Sequence, residues 1–250
     1  MSAPITRIPP LLPVAAPRLY GAGLTHTGLV RERNEDAILT DPSGVLWAVA
    51  DGMGGYGHGD VASDIVIERL SEITDAALAP QALRAQLHSA NADILAQTRG
   101  SGQMGATVVA MLVQNSAATI VWAGDCRAYL LRGRSLRLLT RDHTVVQDMV
   151  DEGLLGDSDR ESHPERHIVT RAVGVEPELD IDATVVPLVN GDRLLLCSDG
   201  LTACLGDQDI AEHMRDAATP EKMCDALVIA ALEFGAPDNV SVVSVFAAEA

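Results

Sequence analysis

Basic residues are scarce in this chain. Lys and Arg total 18 against 35 Asp and Glu, a formal net charge of −17. Nucleic acid needs a basic footprint, so it is excluded as a partner. A phosphorylated substrate would have to be attracted by bound divalent cations and a few arginines, because such ions invert the local field. Long apolar runs are missing as well. No stretch nears the roughly 20 residues that span a bilayer, so no membrane association is expected. Cys126, Cys197, Cys204 and Cys224 show no CxxC spacing and lie in apolar surroundings, as reduced structural cysteines of a cytoplasmic protein would. Without GK[ST] there is no P-loop, and without HExxH or a Cys/His pairing there is no zinc centre. GxSxG is absent around Ser198, so an esterase elbow is not supported.

What is present fits a soluble globular protein. Hydrophobic residues make up 47% and charged residues 21% of 250, enough for one large core. Residues 1–17, broken by five prolines and lacking a long apolar centre, read as a flexible lead-in and not as a signal peptide. Residues 18–250 read as a single domain without internal repeats.

Three aspartates sit at the edge of apolar runs: Asp51 in VLWAVADG, Asp199 in RLLLCSDG and Asp238 in APDNVSVVSV. Burying an unpaired carboxylate is costly, and no basic residue adjoins any of the three, which implies a metal ion. Hard oxygen ligands suit Mg²⁺ or Mn²⁺. VRERNEDA places Arg31, Glu35 and Asp36 where two neighbouring strands would bring Arg31, Asp36 and Asp51 to one sheet end. Gly52 would let its carbonyl approach an ion with no Cβ in the way. Asp125 in WAGDCRAY adds a carboxylate at a strand junction, although alone it reads as an ordinary hairpin aspartate.

Cys126 and Arg132 have the spacing of cysteine-dependent phosphatases, yet the residues between them form an extended stretch and not an anion-binding loop, so this chemistry is set aside. His143 is read as capping the next helix or satisfying a local backbone group. His26 is a weaker candidate for assisting proton transfer.

Short strands at 19–26, 36–41 and 45–51 precede helices at about 60–79 and 81–99, divided by Pro80. Strands at 105–114, 118–125, 126–132 and 135–140 look like an antiparallel meander, and GMGGYGHG is expected to be irregular. A helix at 143–152, strands near 179–186 and 192–198, helices near 208–216 and 220–234 and a strand at 239–247 complete the chain. Grouped strands beside paired helices give an α+β fold: two antiparallel sheets face to face, each covered by helices.

VRxxNEDA, ADGMGG, GATVV, AGDCRAYLL, LTRDHT, VTRAVG, LCSDGLT and PDNVSVV, in this order over about residues 19–247, closely resemble the metal-dependent serine/threonine phosphatases of the protein phosphatase 2C type, in their compact bacterial form. The resemblance implies a four-layer α/β/β/α sandwich with two Mn²⁺ or Mg²⁺ ions. By it, Asp51 bridges both ions and the Gly52 carbonyl binds one of them. Asp199 and Asp238 complete the first ion's shell, Glu35 and Asp36 reach the second, and Asp125 with Asp199 holds a third, weaker ion. Arg31 would grip the substrate phosphate, and residues about 145–170 would form a flap. Together Arg31 and Asp51 would carry catalysis: attack of a metal-activated water on phosphoserine or phosphothreonine, with no phosphoenzyme.

The implied partners are a phosphorylated protein and an opposing serine/threonine kinase, with the phosphatase acting as a monomer. Phosphatases of this compact kind that reverse threonine phosphorylation on bacterial secretion systems offer a narrower expectation. A silent phosphopeptide-binding regulator is the alternative, and such relatives generally lose one or more of the acids. Departures from the family pattern are Met53, where animal relatives have a histidine, Tyr56 and Asp60 in the glycine loop, and Cys126 in place of a common serine.

Overall fold

The computed structural model describes residues 17–54, 58–73, 79–101 and 103–249. Residues 1–16 of the expected lead-in, and Tyr56, lie outside the described residues. Ten strands are assigned: β1 (Arg18–His26), β2 (Asp36–Thr40), β3 (Leu46–Gly54), β4 (Met104–Gln114), β5 (Ala117–Ala123), β6 (Arg127–Arg132), β7 (Ser135–Leu138), β8 (Asp182–Pro187), β9 (Arg193–Cys197) and β10 (Val240–Ala248). Six helices accompany them: α1 (Gly59–Ser71), α2 (Pro80–Ser101), α3 (Val145–Asp151), α4 (Asp199–Thr202), α5 (Asp207–Asp216) and α6 (Pro220–Glu233). Among the described residues, no helix is long and apolar enough to cross a membrane.

The strands form two five-stranded sheets, ordered β1-β10-β9-β6-β7 and β2-β3-β4-β5-β8, with every neighbouring pair antiparallel. Both faces of each sheet are covered, which is why the strands read as unbroken apolar runs. On β3, Leu46, Ala48 and Ala50 pack against Val66 of α1 and Leu87 of α2. The alternate residues Trp47 and Val49 enter a layer between the sheets with Met111, Leu194, Leu196 and Val243. On β10, Val240 and Val242 pack against Met214 of α5 and Leu227 of α6. This period-2 division makes three apolar layers and the expected α/β/β/α sandwich. Each fully buried Leu or Val contributes about 1.5–3 kcal/mol of transfer free energy.

Local chemistry sets the connections. Asn115 and Ser116, both in the left-handed region (φ 51° and 60°), make the two-residue turn between β4 and β5, a geometry matched to strand twist. The Thr219 hydroxyl accepts from the Lys222 amide at the start of α6, with Pro220 at its first position.

Several expectations need correction. Instead of one meander, β4–β5 and β6–β7 are hairpins in different sheets. The chain crosses between them at Gly124, whose φ is +114° and where an added Cβ would fall 2.3 Å from Thr107 Cβ. Asp125 therefore lies on a sheet-to-sheet crossing and not in a hairpin. The glycine run starts as strand: β3 continues through Gly54, paired with Met104–Ala106 of β4. The helix expected at 60–79 ends at Ser71, with residues 74–78 outside the described set. A short helix, α4, which the sequence pattern did not predict, follows Ser198.

Candidate active site

The alternation that fills the layer between the sheets also delivers the acids to its mouth. Trp47 and Val49 lead to Asp51 on β3, Ile38 points back to Asp36 on β2, and Leu194 and Leu196 lead to Ser198 after β9. Asp36 and Asp51 are directly opposed in the β2–β3 register. The Ser198 hydroxyl donates to Asp36 Oδ2 at 2.8 Å, while Asp36 Oδ1 is buried without a hydrogen-bond partner. Burial, opposed by hydrogen bonds from Ser241 and Ser198 and reinforced by Asp199 and Asp238, pushes the Asp36 carboxyl up to about 6.

Asp51 is held well above the usual carboxylate range, first by burial and then by the charges of Asp36, Asp199, Asp125 and Asp238. Asp199, the first residue of α4, is raised by burial and by Asp238, and is eased by a hydrogen bond from Asp51. Asp125 rises to about 8 through burial and the nearby charges of Asp199 and Asp142. Five carboxyls thus sit within electrostatic reach of one another. Among the described residues, however, no three His, Cys, Asp or Glu side chains close into a ready metal shell. Asp51 and Asp199 come close enough for their carboxyls to interact directly. The donor set is all oxygen, mutually repulsive and includes an orphaned carboxylate oxygen, so it fits a hard divalent cation.

Arg31 stands at the rim, and Nη2 donates to Asp238 Oδ2 at 2.6 Å. That hydrogen bond raises the guanidinium pKa further. Asp238, which has no basic neighbour in sequence, therefore has one in space. Glu35 Oε1 accepts from the Gly59 amide at 3.2 Å, placing a carboxylate at the positive N-terminus of α1. The Glu35 carbonyl accepts from the Gly52 amide and the Ser63 hydroxyl. A Cβ on Gly52 would fall 2.1 Å from the Gly59 carbonyl oxygen, so only glycine allows strand and helix to approach this closely.

Two organising residues escaped sequence reading. Asn239 accepts from the Glu35 amide at 2.8 Å and donates to the carbonyls of Thr27 and Arg33, strapping the segment that carries Arg31 to the start of β10. Ser198, considered only as a nucleophile, donates to Asp36 and accepts from the Ser241 amide. The PDN and SDG runs contained both residues, but partners 204 and 162 positions away leave no local trace.

The remaining candidates are also placed. Cys126 is fully buried, close to the Thr107 hydroxyl at 3.1 Å, with its thiol pushed far above the usual value by burial. His143 satisfies a backbone group: its Nδ1 accepts from the Gly124 amide at 3.1 Å, and the cap of α3 is Thr144. His26 Nδ1 accepts from the Gly28 amide. In the segment after α3, Arg160, Arg166 and His167 line a cavity of about 60 Å³ with Asp125 and Asp199.

The Protein phosphatase 2C family profile matches residues 25–228, which include Arg31 and all the site acids except Asp238. The chain belongs to the protein phosphatase 2C family. Within this family it is 34% identical over 234 residues to the serine/threonine phosphatase stp of Listeria monocytogenes, an alignment covering 88% of this chain and 93% of that one. It superposes on PppA, a key regulatory component of T6SS in Pseudomonas aeruginosa, with TM-score 0.83 and 36% identity, covering 92% of this chain and 97% of the other. The catalytic domain of the serine/threonine phosphatase PstP, solved in complex with two manganese ions, gives TM-score 0.84 at 34% identity over 92% of this chain and 98% of that domain. Two five-stranded sheets flanked by helices are thus the protein phosphatase 2C architecture.

Proposed function

We propose that this chain is a divalent-metal-dependent phosphoprotein phosphatase that hydrolyses phosphoserine and phosphothreonine by direct attack of water, opposing a protein kinase. The observation that carries the reading is the cluster of raised, buried carboxyls at the mouth of the sandwich with Arg31 on its rim. In this reading Asp51, with the Gly52 carbonyl, Asp199 and Asp238, would hold one or both of two Mn²⁺ or Mg²⁺ ions. Glu35 and Asp36 would support the second, and Asp125 with Asp199 a third, weaker one. When bound, the ions would lower the pKa of a water to near neutrality and offset phosphate charge.

The chain's own residues supply the rest. Arg31 reaches from an exposed turn and presents a planar fork of donors to non-bridging phosphate oxygens, releasing Asp238 as it does so. Water attacks phosphorus as the bond to the serine or threonine oxygen breaks, and the departing oxygen takes a proton from solvent, because Met53 has none to give. Cys126 cannot intervene as a nucleophile, since it is buried and held as the neutral thiol. Action as a cytoplasmic monomer completes the proposal, and the likeness to PppA supports a substrate on a bacterial secretion system.

The test is phosphate release from a phosphothreonine peptide with Mn²⁺, with EDTA and in Asp199→Asn. Release that needs Mn²⁺ and collapses in the variant supports the phosphatase. Binding of the peptide with no turnover under any metal would instead identify a silent phosphopeptide-binding regulator.

A further inference from the structure

A groove of about 510 Å³ runs beside the acid cluster, between Met53 and Gly54 on one side and residues 169–180 on the other. Met53 shares a strand face with Asp51 two residues earlier, about 7 Å away along β3. A phosphoryl group seated at the acids would therefore leave its neighbouring residues at the groove entrance. The floor is apolar and bare of side chain at Gly105, where an added Cβ would fall 2.9 Å from Val175 Cγ2 and 3.8 Å from Met53 Cε.

The rim is predominantly acidic. Glu176, Glu178 and Asp180 are exposed and make no ion pair among the described residues. Arg171, the one basic residue lining the groove among the described residues, is drawn to Asp182 at 3.4 Å. The rim is also held in place from behind. Buried Asn91 of α2 accepts from the Gly174 amide at 2.6 Å and donates to the Glu176 carbonyl at 2.9 Å. Arg84 donates to the Ile181 carbonyl, and Val173 and Ala106 exchange two backbone hydrogen bonds. A pre-ordered wall spares a ligand the entropy of organising it.

We propose that this groove receives the stretch of substrate chain flanking the phosphorylated residue, and that its acidic rim selects substrates with Arg or Lys in that stretch. The inference rests on the phosphatase reading above and assigns its substrate class. Charge complementarity identifies the occupant: a basic segment gains from all three carboxylates, whereas an acidic one is repelled.

The experiment compares kcat/KM for two phosphothreonine peptides that differ only in carrying Arg or Glu on either side of the phosphorylated residue, with Mn²⁺ at low salt. The expected Arg-to-Glu ratio is about tenfold, the scale of two or three exposed charge pairs, and it should shrink as salt rises. In the triple variant Glu176→Gln, Glu178→Gln, Asp180→Asn the ratio should approach unity. Because it is taken within each protein, any loss of folded material cancels. Equal use of both peptides, or a preference that survives in the variant, overturns the groove. Hydrolysis of p-nitrophenyl phosphate by the unaltered protein with Mn²⁺ separates the two levels. Turnover there without a charge preference sinks the groove alone, and no turnover sinks the catalytic reading and the groove with it.

Discussion

Asp36 and Asp51 face each other directly across β2 and β3, two carboxyls in one cross-strand pair at the mouth of the layer between the sheets. Like charges so placed destabilise a sheet. Removing one should therefore strengthen the metal-free fold while abolishing function, the stability–activity conflict typical of active sites. For Asp51→Asn, calorimetry in EDTA should show a gain of about 1 kcal/mol, or about 2–4 °C in Tm. Phosphatase rate should fall by at least about 100-fold, as when a group that acts in the transition state is lost. The unaltered protein should be stabilised by saturating Mn²⁺, by about 2.7 kcal/mol at a hundred times Kd. The variant should gain much less, and an equal gain in both would place the ions elsewhere.

Arg31 is bonded to Asp238 through an ion pair whose arginine is more than half exposed. Such pairs contribute about 0–1 kcal/mol to stability, so Arg31→Ala should barely move Tm. Its kcat/KM on phosphopeptide should drop about 10- to 100-fold if the guanidinium grips phosphate, the scale of charge-assisted hydrogen bonds. Arg31→Lys should recover little of this, because an ammonium cannot form the fork. Full recovery with lysine would show that charge alone matters.

Gly200 is hemmed in more tightly than any turn requires. A Cβ there would lie 1.9 Å from the Asn239 carbonyl oxygen and 3.5 Å from Asp238 Cβ. Gly200→Ala must push α4 away from the start of β10, at a cost of about 3 kcal/mol or more by urea unfolding. An alanine variant of unchanged midpoint would mean that these backbones separate freely.

His143 is buried as the neutral ring, with Nδ1 accepting from Gly124 and Nε2 left to donate to Asp182 Oδ2 at 3.3 Å. Burial lowers its pKa from the ordinary 6.5, against the opposing pull of Asp182. The unfolded chain therefore takes up this proton at a higher pH than the folded one. Stability from His143 is fully present above pH 6.5 and declines as pH falls through that value toward the lower folded pKa. Thermal melts should show this acid limb, and His143→Gln should flatten it below about pH 6.5. An unaltered limb would assign it to other groups.

The architecture was legible because burial on both sheet faces leaves apolar runs, as at Leu46–Ala50 and Val240–Val245, and because acids stop those runs at one end. Local dipeptides misled where tertiary pairing prevailed. Gly124-Asp125 reads as a hairpin turn but changes sheets, and Gly52–Gly54 reads as a loop but is paired with β4. The roles of Asn239 and Ser198 depend on partners in distant segments, which no local pattern encodes. The Arg31–Asp238 contact, spanning 207 positions, was hidden for the same reason.

Both ends of the segment from Thr144 to Thr170 are fastened at one place. Thr144 follows His143 in the chain, the Thr170 amide donates to the His143 carbonyl, and the His143 amide donates to the Gly124 carbonyl, one peptide before Asp125. The segment therefore leaves and rejoins the fold beside a site carboxylate, and Arg141, just before it, also pairs with Asp148 and Asp151. A ligand seated against Arg160, Arg166 or His167 would thus rest on a segment whose two ends meet one peptide from Asp125.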